Sequence, residues 1–269
     1  MLTKLLKHEF AATARFMWII YAALAGLSLF ANLSIRMLDR PVIPDVIRIL
    51  MVMILVTWGI ALVAALVAAL VLMLRRFHKN LLTDEGYLMF TLPTDVHHLV
   101  IAKLIVAAVW QIATMAVIAL CVSLAVMSTD FLHGIFFTLR EILEGITVYN
   151  AANGVLVGIE CLLMLFLGCG LSMLQFYSAM SIGHGFANHK VLWSVVVYFL
   201  QSTALQILST LFLAALSGFR FIEIYDYSGL DGIQMWHMGV LAICVAEVAL
   251  GAVFYILTIW NLKNRLNLA

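Results

Sequence analysis

Six stretches of this chain run for about 20 residues each with almost no charge, the length that crosses the hydrocarbon core of a bilayer. Residues 49–74, 104–127 and 191–219 contain no Asp, Glu, Lys or Arg at all. An isolated apolar segment in lipid must satisfy its own backbone hydrogen bonds, so each run is predicted to be a helix. The expected spans are 16–34, 49–74, 101–127, 155–182, 191–218 and 236–260. Composition agrees: of 269 residues, 65% are hydrophobic and 11% charged, where soluble domains hold roughly half and a quarter. The predicted fold class is an all-α membrane protein with six transmembrane helices, forming a single transmembrane domain over residues 1–269.

Orientation follows from Lys and Arg in the short connections. One side carries Lys4, Lys7, Arg15, Arg75, Arg76, Lys79, Lys103, Lys190, Lys263 and Arg265, and the other Arg36, Arg40, Arg48, Arg140 and Arg220. Ten against five places both termini in the cytoplasm. The N-terminal apolar run continues past Ala23-Leu24-Ala25, so it reads as a retained membrane helix rather than a cleaved signal. Before it, residues 1–15 set Leu2, Leu5, Leu6 and Phe10 near one helical face and Lys4, Lys7, His8 and Glu9 around the rest. That pattern predicts an interfacial helix ahead of the first span. Residues 131–149 form an amphipathic outer segment, 184–190 a tight cytoplasmic turn and 220–235 an outer loop.

Several chemistries lack their residues. No Gly is followed directly by Lys, so there is no phosphate-binding P-loop. There is no Gly-x-Ser-x-Gly and no His-Glu-x-x-His. No metal site is expected, and the net charge of +1 gives no electrostatic footprint for nucleic acid. Cys121, Cys161, Cys169 and Cys244 lie in apolar runs and read as small buried hydrophobes.

Two carboxylates fall inside predicted spans: Glu160, near the outer end of the fourth, and Glu247, near the middle of the sixth. An ionisable group in hydrocarbon faces a cavity or a partner. Each is a candidate substrate- or ion-contacting group, or else a member of an interhelical hydrogen bond. Gln175 and Gln201, with Gln111 and Gln206, are weaker candidates for the substrate path, since amides often pair between helices.

The connection at 79–98, "KNLLTDEGYLMFTLPTDVHH", is neither polar nor apolar. Pro93 stops any helix before it, and Thr94 or Asp95 can cap the next. A short helix over 81–91 would carry Leu81, Leu82, Tyr87, Leu88, Met89 and Phe90, interrupted by Asp84 and Glu85. Left in water these groups form a patch of the kind that marks an interface. The alternatives are burial at the membrane surface and docking on another cytoplasmic protein. The acids favour docking, because the inner leaflet is anionic.

This segment, "FHKNLLTDEGYLMFTLPTDVHHLVIAK", with "LLKHEFAATARF" at the start and "NLKNRLNLA" at the end, resembles permease subunits of ATP-binding cassette transporters of the type-2 exporter superfamily. The run at 85–93 is the most specific part, and the six-span layout matches over the whole chain. The resemblance implies an N-terminal interfacial helix and a coupling helix between spans two and three that docks on a separate ATPase subunit. It also implies a second permease chain, as homo- or heterodimer, and a multi-pass location in the cell membrane, expected to be a bacterial plasma membrane. No cofactor is expected on this chain, and ATP and Mg would sit on the partner ATPase. The chain is thus expected to be a transport subunit and not itself an enzyme, exporting an amphipathic peptide or other hydrophobic compound. Many relatives place re-entrant hairpins between spans five and six, whereas here the longest amphipathic outer segment lies between three and four. The rival expectation is a proton- or ion-coupled secondary transporter using Glu160 and Glu247.

Overall fold

The computed structural model describes residues 2–40, 43–83, 86, 95–126, 134, 137, 140, 144, 151–186, 188–218 and 232–264. The described residues form six long helices and no strand: α1 (Leu2–Leu38), α2 (Asp45–Leu81), α3 (Val96–Ala125), α4 (Ala151–Gly183), α5 (Lys190–Gly218) and α6 (Gly232–Asn264). All six are long and apolar enough to cross a membrane. Their outer faces carry exposed large side chains such as Trp18, Val46, Ile60, Leu120, Leu211 and Leu241. In water such continuous apolar faces would drive association, whereas lipid solvates them.

The helix ends follow local chemistry. Pro44 precedes α2, and its carbonyl accepts the Ile47 and Arg48 amides at 3.0 and 3.1 Å. Asp95 stands directly before α3, at the N-cap position, and its backbone carbonyl accepts the His98 amide at 3.0 Å. The predicted turn at 184–190 is present: α4 ends at Gly183 and α5 begins at Lys190. His189 enters α5 from the left-handed region, at φ 53°. A Cβ at Gly183 would collide with the backbone of Ser194, so glycine there lets α5 fold back against α4.

Helix α1 differs from expectation. Instead of an interfacial helix and then a span, it runs unbroken from Leu2 to Leu38. The stretch at 10–16, "FAATARF", holds no Gly or Pro to break it. The buried positions Thr13, Met17, Tyr21, Leu24, Ser28 and Ala31 recur every three or four residues, so one packed face begins before position 15.

The chain divides into two compact units: Met1–Arg75 with Ile101–Val148, and Arg76–Val100 with Tyr149–Ala269. In the first, Lys103 donates to Glu9 at 2.7 Å, with side chains 4% and 12% exposed. Trp110 donates to Thr13, and Tyr21 bonds Thr114, each at 2.8 Å. Asn32 donates to the Leu124 and Ala125 carbonyls at 3.0 Å, satisfying acceptors that the end of α3 leaves open. Partners on α1 and α3 therefore advance together, and the two helices run parallel. Helix α2 runs the other way: Trp58 donates to Ser28, while Ala65, further along α2, joins the core with Leu24, earlier on α1.

The second unit repeats the logic. Gly183 meets Ser194, Phe176 stacks on Tyr198 and Gln175 donates to Ser202, so α4 and α5 are antiparallel. Glu160 meets His237, Gly168 meets Glu247 and Leu174 meets Gly251, so α4 and α6 are parallel. Direction alternates along the chain within each unit, as successive membrane crossings joined by short connections require.

Candidate functional site

Helix α4 carries polar residues toward two neighbours. Toward α5, Gln175 Nε2 donates to Ser202 Oγ at 2.7 Å. Gln201 Nε2 donates to Ser178 Oγ at 3.0 Å. Ser178 and Ser181 also donate to carbonyls one turn back on α4. The side chains of Gln175 and Gln201 are thus engaged in holding two helices together.

Toward α6 the arrangement is different. On α6, the positions 240, 244, 247, 251, 254, 258 and 261 recur every three or four residues and form the stripe turned inward, with Val240, Cys244, Gly251, Phe254, Thr258 and Asn261 buried. Glu247 lies in that stripe. Its Oε1 would stand 3.1 Å from a Cβ at Gly168 of α4, so the missing side chain makes room for the carboxylate. Ten residues earlier on α6, His237 Nδ1 donates to Glu160 Oε1 at 2.7 Å. Both side chains of that pair are about three-quarters buried.

Glu160 Oε2, His237 Nε2 and Glu247 Oε2 are all buried, and none has a hydrogen-bond partner. Among the described residues they are the full set of such side-chain atoms, and all three lie on α4 and α6. Leaving a buried acceptor unmet costs about 1–3 kcal/mol, more when it is charged. Buried polar groups in folded proteins are otherwise almost always paired.

The two acids singled out in the sequence therefore share one helix seam, and the two glutamines belong to another. His237 escaped sequence reasoning. Its partner is 77 positions away, and a lone His at the start of a span carries no periodic signal. Cys169 and Cys244 are buried as expected, while Cys161 is exposed on α4. It falls on a face that apolar character alone cannot tell from the packed one.

The connection after α2 is described only at its start. Leu81 closes α2 and is fully buried, and Leu82 is 5% exposed. Both pack into the chain. The Leu82 amide bonds the His78 carbonyl at 2.9 Å, and the Gly86 amide bonds the Thr83 carbonyl at 2.7 Å. A Cβ at Gly86 would stand 2.8 Å from the Leu81 carbonyl oxygen, a close approach that only glycine permits. Asp84, Glu85, Tyr87, Leu88, Met89 and Phe90 lie outside the described residues, as does most of 131–149.

The end of α2 is fastened to the end of α4. Phe77 stacks on Tyr177, centroids 3.9 Å apart and planes 7° from parallel, both buried. One residue on, His78 Nε2 and His184 Nε2 are 3.0 Å apart. His184 Nδ1 donates to the Met180 carbonyl at 2.8 Å. In the neutral ring Nε2 is then the acceptor, and His78 donates to it. Burial pulls the His184 pKa below its ordinary value. The Met180 bond works against this, and the charges of His78 and Lys190 add to it.

No family model, no curated protein and no solved structure matches the chain.

Proposed function

We propose that this chain is the membrane-spanning permease subunit of an ATP-driven transporter of the ATP-binding cassette class, in the type-2 exporter superfamily. The observation that carries the reading is the run at 85–93, "EGYLMFTLP", in the connection between two long apolar helices. Six helices of membrane-spanning length, alternating in direction within each unit, support it. Both termini are cytoplasmic, and the connection after α2 reaches a separate ATPase. Tyr87, Leu88, Met89 and Phe90 supply the apolar anchors, Asp84 and Glu85 the polar rim, and Leu81 and Leu82 root the element in the second unit. Two permease chains form the path, two ATPase subunits bind ATP and Mg, and closure of the ATPases moves the coupling elements and opens the path outward. The cargo is an amphipathic peptide or other hydrophobic compound, and the setting is a bacterial plasma membrane.

Co-purification tests this. A tagged chain extracted in mild detergent is expected to bring down an ATPase subunit, and the double change Tyr87→Ala, Phe90→Ala to lose it while the permease stays folded in the membrane. Truncating interface anchors of this kind costs about 1–4 kcal/mol each. An ATPase retained equally by both forms would reject the coupling role. A second reading, a proton- or ion-coupled transporter, draws on the Glu160–His237 contact. It expects transport that follows a proton or ion gradient and needs no ATP.

A further inference from the structure

We propose that the α4–α6 seam binds a cationic amine carried on a hydrophobic body, the ammonium donating at one of two stations, Glu247 or the Glu160–His237 pair. As a statement of substrate class this rests on the permease reading, whereas the binding itself does not.

His237 holds Glu160 Oε1 through Nδ1, so in the neutral ring the proton is on Nδ1 and Nε2 is a bare lone pair. Glu160 Oε2 and Glu247 Oε2 are carboxylate oxygens. The two carboxylate oxygens are acceptors whichever form His237 takes, and in the neutral ring Nε2 is a third. The missing partner is a donor, and beside two carboxylates it is a cation.

For Glu247 the described residues of these two helices supply no such cation. Helix α4 contains no Lys or Arg, and α6 has only Lys263, at the opposite end from His237. A proton on Glu247 removes its charge but brings a donor of its own. A metal ion asks for several ligands together, and no group of three or more His, Cys, Asp or Glu stands close enough among the described residues. An anion would be repelled. An ammonium has donors and no acceptor, so it leaves nothing of its own unmet.

The rest of the seam suits an apolar body. Gly168 faces Glu247 directly, and Cys244 and Gly251 lie one turn to either side of it on the α6 stripe, all small and without charge. Ten positions separate His237 from Glu247 on α6, about 15 Å along a helix axis. The amine thus has two stations along one seam, one near the start of α6 and one toward its middle.

The test is equilibrium binding of octylamine, protonated at pH 7.5, to the chain in phosphatidylcholine nanodiscs, by titration calorimetry with empty discs subtracted. Octanol and octyl sulfonate serve as the neutral and anionic comparisons. Saturable octylamine binding is expected, with neither comparison competing. Glu247→Gln should weaken it about tenfold or more, the scale of one charge-assisted hydrogen bond, and Glu247→Asp should keep most of it. Octanol binding as tightly as octylamine, or Glu247→Gln binding as wild type does, overturns the proposal. If Glu247→Gln fails to fold, octylamine against octanol on the wild-type chain decides alone. ATPase co-purification on the same preparation separates the two claims. ATPase retained without amine binding rejects the cation site only, and amine binding without ATPase rejects the permease reading only.

Discussion

Helix α4 meets α5 and α6 along two seams of opposite character. Against α5 the polar side chains answer one another: Gln175 with Ser202, and Gln201 with Ser178. Against α6 the polar pair Glu160–His237 is formed, and among the described residues three buried side-chain atoms are left open. Both seams come from the same helix in the same surroundings, so the difference is not one of average polarity. Matched amides and hydroxyls hold helices together in lipid at modest gain. Unmatched acids stay only where something else meets them. We read the first seam as structural and the second as the working one.

The comparison can be stressed at four points. The largest effect is expected at the α5 seam. Gly183→Val puts a branched side chain into the Ser194 backbone and should destabilise the fold by about 3 kcal/mol, the upper end for overpacking. Thermal unfolding in detergent checks it, and a stability close to wild type would show that α5 does not need this close approach.

Next comes the glue itself. A double-mutant cycle on Ser178→Ala and Gln201→Leu should give a coupling of about 0.6–1.7 kcal/mol, the range for hydrogen bonds between membrane helices. A coupling near zero would remove the reason for calling this seam structural.

A further polar pair, just past the end of α4, should switch from one kind to the other with pH. His78 and His184 satisfy each other when neutral, and burial lowers the His184 pKa. The folded state thus resists the proton that the unfolded chain accepts near pH 6.5. Stability from this pair is complete above that value and is lost as pH falls from there through the lower folded value. Lys190 on α5 adds positive charge nearby and pushes the same way. Unfolding temperature should fall between pH 7.5 and 5.5, and His184→Gln should flatten that slope. An unchanged slope would assign the pH dependence elsewhere.

The smallest stability effect belongs to the working seam. Glu247→Leu removes an unmet buried carboxylate, so stability should stay constant or rise by up to about 1 kcal/mol. A loss of 2 kcal/mol or more in the same unfolding assay would mean that Glu247 is glue after all.

How far the sequence announces all this depends on what water and lipid each report. The crossings are legible because charge is excluded from hydrocarbon. The uncharged run at 49–74 sits inside α2, which continues from Asp45 to Leu81 because a helix does not stop where lipid does. The joining of residues 2–15 to the first span is less legible, since an amphipathic pattern reads the same at a membrane surface and on a packed helix. Facing is the least legible. Lipid is as apolar as a protein core, so Leu162, exposed, and Met173, buried, carry the same signal on α4. Glu160 and Glu247 stand out because they are expensive in either place. Their common seam and His237 become visible only once α4 and α6 are known to run parallel. The matched glutamines are hidden for the same reason, because pairing across helices leaves no trace in local spacing.

The two proposals meet in one measurement: ATP turnover in lipid vesicles by the chain together with any ATPase that co-purifies with it, with and without octylamine. The account predicts that octylamine raises turnover by the wild-type complex and that the rise is lost in Glu247→Gln. An equal rise in both would contradict it, since the path would then run elsewhere than between α4 and α6.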